Sequence, residues 1–159
     1  MMLLEEDKRG QQLNLLYSND KFSIPSNLYI IGMMNSADRS LALIDYALRR
    51  RFSFFEVKPA FQNTTFQSYI STYDDPKLLA QVIQTIERLN GQIIDELGSG
   101  FQIGHSYFIG DPFKQSTLHR LEEVLEFDII PQLQEYWFDD EEKALNWAHV
   151  LRGHLYGEK

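Results

Sequence analysis

Residues 28–57 read LYIIGMMNSADRSLALIDYALRRRFSFFEV, and the rest of the chain is best understood outward from them. Leu28 to Met33 is an apolar run without polar alternation, the pattern of a strand covered on both faces in a parallel α/β sheet. A buried helix gives the same pattern over so few residues. Tyr29, Ile30 and Ile31, with Pro25 just upstream, favour the strand. Asn35 then lies at the carboxyl end of that strand, where open α/β sheets hold their ligands, and is the first candidate site residue. Ser40 stands at a helix N-cap position, and Leu41, Ile44 and Leu48 follow at the spacing of one buried face. Asp45 precedes Arg49 by four residues, the favourable order for a pair along a helix.

The helix ends in Arg49, Arg50 and Arg51. Successive helical residues point about 100° apart, so the three cannot share one face, and at least one is expected to have a partner. Two readings stay open on the residues alone. Cations at a helix C-terminus offset the macrodipole by about 0.3–1 kcal/mol each, or one of the arginines meets an external anion.

On either side the pattern changes. Met1 to Arg9 lacks the capping residue and acidic first turn of a new helix, so it reads as the end of a longer one. Leu13–Tyr17 and Phe22–Ile24 flank Ser-Asn-Asp as a hairpin would. Phe52 to Val57 reads as a second buried strand, stopped by Pro59. From Phe61 onward the periodicity is helical. Leu79, Val82, Ile83, Ile86, Leu89, Asn90, Ile93 and Leu97 predict about five turns, ended by Gly98 and Gly100. Within that helix, Ile93-Ile94-Asp95-Glu96 imitates an acidic Mg²⁺-binding strand end, but a helix cannot present its acids at a sheet edge.

GSGFQIGHSYF, residues 98–108, is the second dense motif. Its glycines predict a tight loop feeding a helix N-terminus, where anions bind readily. His105 has two readings there, a polar contact to ligand or a structural cap. Leu118, Leu121, Val124 and Leu125 predict one further helix, and Ile129, Ile130, Leu133 and Tyr136 the next, with Pro131 tolerated in its first turn. Asp139 and Asp140 are expected to cap a final helix carrying Ala144, Trp147, Val150 and Leu151. Trp137, Phe138 and Trp147 are expected in core or interhelix packing.

Composition narrows the function classes. The 159 residues suffice for one domain or two small subdomains, and 43% hydrophobic with 13% aromatic content supplies a core. The absence of cysteine rules out disulfides and thiolate chemistry, and four scattered histidines show no ligand spacing, so no metal site is expected. Fifteen basic against twenty-three acidic residues give a net charge of −8, which argues against a general DNA-binding surface. No run is long and apolar enough to cross a bilayer and no signal core is evident, so a cytoplasmic protein is expected.

MMNSADRSLALIDYALRRRF, residues 33–52, resembles the sensor 1 and arginine-finger segment of AAA+ NTPases, specifically of the McrB family, the GTP-hydrolysing subunit of a restriction system that cuts modified DNA. The Met-Asn-Ser-Ala-Asp-Arg-Ser element is the specific part, and the Arg-Arg-Phe ending is shared more widely. The resemblance continues through GFQIGHSYF and IIPQLQEYWFDD. It implies an α-rich α+β chain: residues 1–59 as part of an AAA+ α/β core, with sensor 1 strand, finger helix and following strand, and residues 60–159 as a helical lid. It implies catalytic roles for Asn35, which would orient the attacking water, and Arg50, the finger acting on a neighbouring subunit, with Arg51 and Asp45 supporting the finger helix. Asp38 and Arg39 would shape the subunit contact, and Gly104, His105 and Ser106 would face the nucleotide from the lid. The family commonly has a basic residue where this chain has Gln102, so no phosphate contact carries over to that position.

The ligands implied are GTP, or ATP in a MoxR-type relative, with Mg²⁺. The partners implied are further copies in a ring, expected to be a hexamer, and a McrC-like endonuclease subunit, with DNA read by another domain. The chain has no GxxxxGK[ST] phosphate loop, so by itself it is not expected to hydrolyse nucleotide. The resemblance places that loop and the acidic Walker B strand upstream of Met1. A non-catalytic module that docks on an AAA+ ring is the alternative.

Overall fold

The computed structural model describes residues 3, 5–35, 49–111 and 115–157. The chain divides into two compact units, 1–56 and 57–159.

In the first unit, a 3₁₀ turn at Glu6–Lys8 closes on Gly10, whose φ of 79° suits glycine. The hairpin forms where expected. Strands β1 (Leu13–Asn14) and β2 (Lys21–Phe22) pair antiparallel, Leu13 opposite Phe22. Leu15 N–H donates to Asp20 O at 2.8 Å and Asn19, at φ 58°, turns the chain, a conformation that asparagine tolerates. Gly10 N–H to Ile24 O at 2.8 Å and Arg9 Nη1 to Leu28 O at 3.2 Å tie the turn to the residues that follow.

Neither expected buried strand is present. Leu28–Met33 and Phe52–Val57 join no ladder, and Ile31, Met33, Phe55 and Val57 are 90% exposed or more. An all-apolar strand of this kind needs paired neighbours and a layer on each face. Among the described residues the only ladder is the two-residue hairpin, so nothing in it pairs with these runs.

The second unit is helical and holds the core. Helix α1 (Thr64–Ile70) is capped by Asn63 Oδ1, which accepts from Thr65 N–H at 2.8 Å. Helix α2 (Pro76–Leu97) begins at an Asp75 cap with Pro76 in its first turn, where the missing N–H costs nothing. It ends at Gly98, φ 101°, whose N–H reaches the carbonyls of Ile93 and Ile94. Its apolar positions run as one face, with Val82, Ile86, Leu89 and Ile93 fully buried. Ile93 to Glu96 sit inside this helix, so the acidic imitation carries no metal chemistry.

The two helices expected over 117–136 are one continuous run. Helix α3 (Thr117–Glu123) passes through a π-helical segment (Val124–Ile129) into α4 (Ile130–Tyr136). Ile130 N–H reaches back five residues to Leu125 O. Pro131 explains the wider turn, since its ring would clash with the carbonyl four residues back in a regular α-helix. Helix α5 (Glu141–Tyr156) starts at Asp140, whose carboxylate accepts from Lys143 N–H at 3.2 Å, as expected of a capping acid. Trp137 is buried and Trp147 half-buried, but Phe138 is 78% exposed, because the chain leaves the helix at Trp137 and turns it outward.

Helices α2 and α5 lie antiparallel, joined by three polar pairs: Thr85 with His154 at 2.9 Å, Gln92 with Trp147 at 3.0 Å and Glu96 with Lys143 at 3.0 Å. On the opposite edge of α5, Arg152 forks onto Glu126 of the π segment at 2.6 and 2.5 Å.

Candidate functional sites in the two units

In the first unit, the three arginines have three environments. Arg49 lies over the Phe54 ring at 5.9 Å, a cation–π contact. Arg51 is paired with Glu5 at 2.5 Å and only 18% exposed at its side chain. Arg50 is exposed and makes no ion pair or hydrogen bond with the described residues. Charge that is already neutralised is a poor ligand for an external anion, which sets Arg51 aside, while the stacking of Arg49 on Phe54 leaves Arg50 as the arginine with no such partner among the described residues. Asn35 is exposed, two residues beyond the apolar run at 28–33. Asp38, Arg39 and Asp45, and with them the expected finger helix from Ser40, lie outside the described residues.

In the second unit, the 98–110 loop is held at three points. Asn90, 4% exposed in the middle of α2, donates from Nδ2 to Ile103 O at 2.9 Å and accepts from Ile103 N–H at 2.7 Å. One side chain thereby satisfies both backbone groups of a buried residue, as a neighbouring strand would. His105 accepts at Nδ1 from Ala60 N–H at 3.1 Å, with the Phe66 ring edge-on at 5.5 Å and Phe61 at 6.3 Å. At the far end, Gly110 N–H points to the hydroxyls of Tyr69 and Tyr73, each at 3.1 Å, and Tyr69 donates in turn to Gly110 O. Burial, with help from Tyr69, pushes the Tyr73 phenol up to about 12, so it stays protonated and donates to Phe108 O. A Cβ at Gly110 would stand 3.4 Å from Tyr73 Oη and 3.3 Å from Arg120 Nε, so a larger residue there would have to shift those side chains by a few tenths of an ångström.

The loop does not feed an α-helix as expected. His105–Phe108 is a four-residue 3₁₀ turn, too short to sum backbone dipoles into an anion site. What it offers is side-chain chemistry. Ser106 is exposed, and its Oγ folds back over Gly104, 3.4 Å from where a Cβ would stand.

Asn90 is the residue whose importance the sequence reading missed, although its signal was present. An asparagine on the apolar face of a long helix is costly unless it is fully hydrogen-bonded. Glu96 is similar. It accepts from Gln92 at 2.8 Å, from Lys143 at 3.0 Å and from Trp137 Nε1 at 2.7 Å, and these bonds, Gln92 first, hold its carboxyl below the usual range. Among the described residues no three acids or histidines gather closely enough to hold a metal ion, and no helix is long and apolar enough to cross a membrane.

Residues 81–145 match the family model of the McrB alpha-helical lid domain. Over 96% of its length the chain is 44% identical to the Type IV methyl-directed restriction enzyme EcoKMcrB subunit of Escherichia coli (strain K12). The chain is thus McrB-like nearly from end to end and carries a McrB-type helical lid, and it spans 36% of that relative's length.

Proposed function

We propose that this chain supplies the sensor 1, arginine-finger and lid portion of a McrB-like AAA+ GTPase that drives a methyl-directed restriction complex. The observation that carries the reading is the division of labour among the arginines, with Arg49 stacked, Arg51 paired and Arg50 exposed without an ion pair to the described residues. A guanidinium in that state suits a phosphate group with developing charge, where its fork of donors binds two oxygens.

In the proposed mechanism Arg50 reaches across to the nucleotide of a neighbouring copy and stabilises the transferring γ-phosphoryl group. Arg51, through Glu5, anchors the segment that presents it. Asn35 orients the attacking water in its own subunit. Asp45 supports the finger helix, and Asp38 and Arg39 shape the subunit contact. Gly104, His105 and Ser106 close on the nucleotide from the lid. GTP is the nucleotide proposed, with ATP as the competitor, and Mg²⁺ would neutralise its phosphates. Among the described residues no acids gather into a Mg²⁺ set, so the residues that would hold the ion are not assigned. A ring of copies and a McrC-like endonuclease subunit are the partners proposed, in the cytoplasm.

The test is Arg50→Ala in the complete protein. Hydrolysis should fall about 10³-fold or more with nucleotide affinity nearly unchanged. Parallel loss of affinity and turnover would make Arg50 a structural residue instead.

A further inference from the structure

We infer that His105 meets the bound nucleotide as a neutral hydrogen-bond donor through Nε2–H, not as a cation. The inference rests on the proposed reading in which the lid loop contacts nucleotide, and it adds the polarity of the contact. The backbone N–H of Ala60 can only donate, and it points at Nδ1 from 3.1 Å. Nδ1 must therefore carry its lone pair, and the ring proton of the neutral imidazole is on Nε2. A proton on Nδ1 would set two donors facing each other and break that bond.

The ring has little freedom to choose otherwise. Phe66 and Phe61 meet it edge-on, at interplanar angles of 88° and 79°, and fix its plane. The loop carrying it is pinned two residues earlier by the Asn90–Ile103 pair and five residues later by the two tyrosines on Gly110. His105 is half-buried, and among the described residues its hydrogen bond is made through Nδ1, which leaves Nε2 for an external acceptor. Beside it the exposed Ser106 adds a hydroxyl donor. The pair suits an acceptor oxygen of a nucleotide phosphate, and the ring's orientation is set before the ligand arrives.

The experiment has two arms. In the 159-residue chain at pH 7.5, two-bond ¹H–¹⁵N correlation of the His105 ring should give the pattern of the Nε2–H tautomer. A Nδ1–H tautomer or an imidazolium overturns the inference. In the complete protein, nucleotide affinity is compared for His105→Asn, whose Oδ1 can replace Nδ1 as acceptor for Ala60, and His105→Gln, whose amide can replace Nε2–H. Both variants lose the ring contacts with Phe66 and Phe61, so they serve as controls for each other: at similar melting temperatures His105→Asn should weaken binding about tenfold, and His105→Gln should stay within about threefold of the parent. The Nε2–H tautomer with full affinity in His105→Asn overturns the contact with nucleotide, leaving only the bond to Ala60. A complete parent protein that binds no nucleotide at all overturns the functional reading as well, so the two failures are distinguishable.

Discussion

At the scale of single residues, the molecule separates groups that are spent on structure from groups that are left over. Asn90 is spent completely, since both ends of its amide go to Ile103. Asn90→Ala would leave a buried N–H and a buried C=O unsatisfied, and should cost about 2–4 kcal/mol of stability, read as a lower urea midpoint with an unchanged slope. Asn35 is proposed to act on water, so Asn35→Ala in the complete protein should lower turnover more than nucleotide affinity. Unchanged turnover in steady-state assays would remove it from the mechanism. Residue by residue, the sequence was legible where chemistry and local spacing coincide, as with the cap at Asp140. The environments of Arg49 and Arg51 depend on Phe54 and on the distant Glu5, and no local pattern encodes such partners.

At the scale of elements, polar pairs fasten α5 along both its edges. Glu96 on one side is held ionised by Gln92, Lys143 and Trp137, and Glu126 on the other by Arg152. Both carboxyls titrate lower in the folded chain than their unfolded value of about 4.3. Their contribution is therefore fully present above about pH 4.3 and lost as pH falls through the folded values. The melting temperature should drop more steeply below that pH in the parent than in a Glu96→Gln, Glu126→Gln double variant. Parallel acid limbs would show that the two carboxylates do not carry the acid sensitivity. The long helix α2 was legible because a strong 3.6-residue period over many turns leaves no alternative. The π segment was not, because the apolar spacing on each side of Pro131 reads the same whether the helix stops there or widens around it. The apolar runs at 28–33 and 52–57 carry the composition of strands, but a strand is made by its neighbours, and the described residues provide none.

At the scale of the whole molecule, the two units differ in how much apolar surface they bury. The buried core is drawn almost wholly from 61–151, whereas Leu16, Tyr17, Tyr29, Ile31 and Met33 of the first unit lie exposed. In the proposed reading Arg50 acts on nucleotide held by a neighbouring copy of the complete protein, so its effect belongs to the assembled state. The direct measurement is a mixing experiment with two inactive forms of the complete protein. One carries Arg50→Ala, and the other has its phosphate-loop lysine replaced. If Arg50 acts across the subunit boundary, mixed assemblies should recover GTP hydrolysis, because each intact loop then faces an intact arginine. Mixtures as inactive as their components, under conditions where they assemble together, would contradict the account.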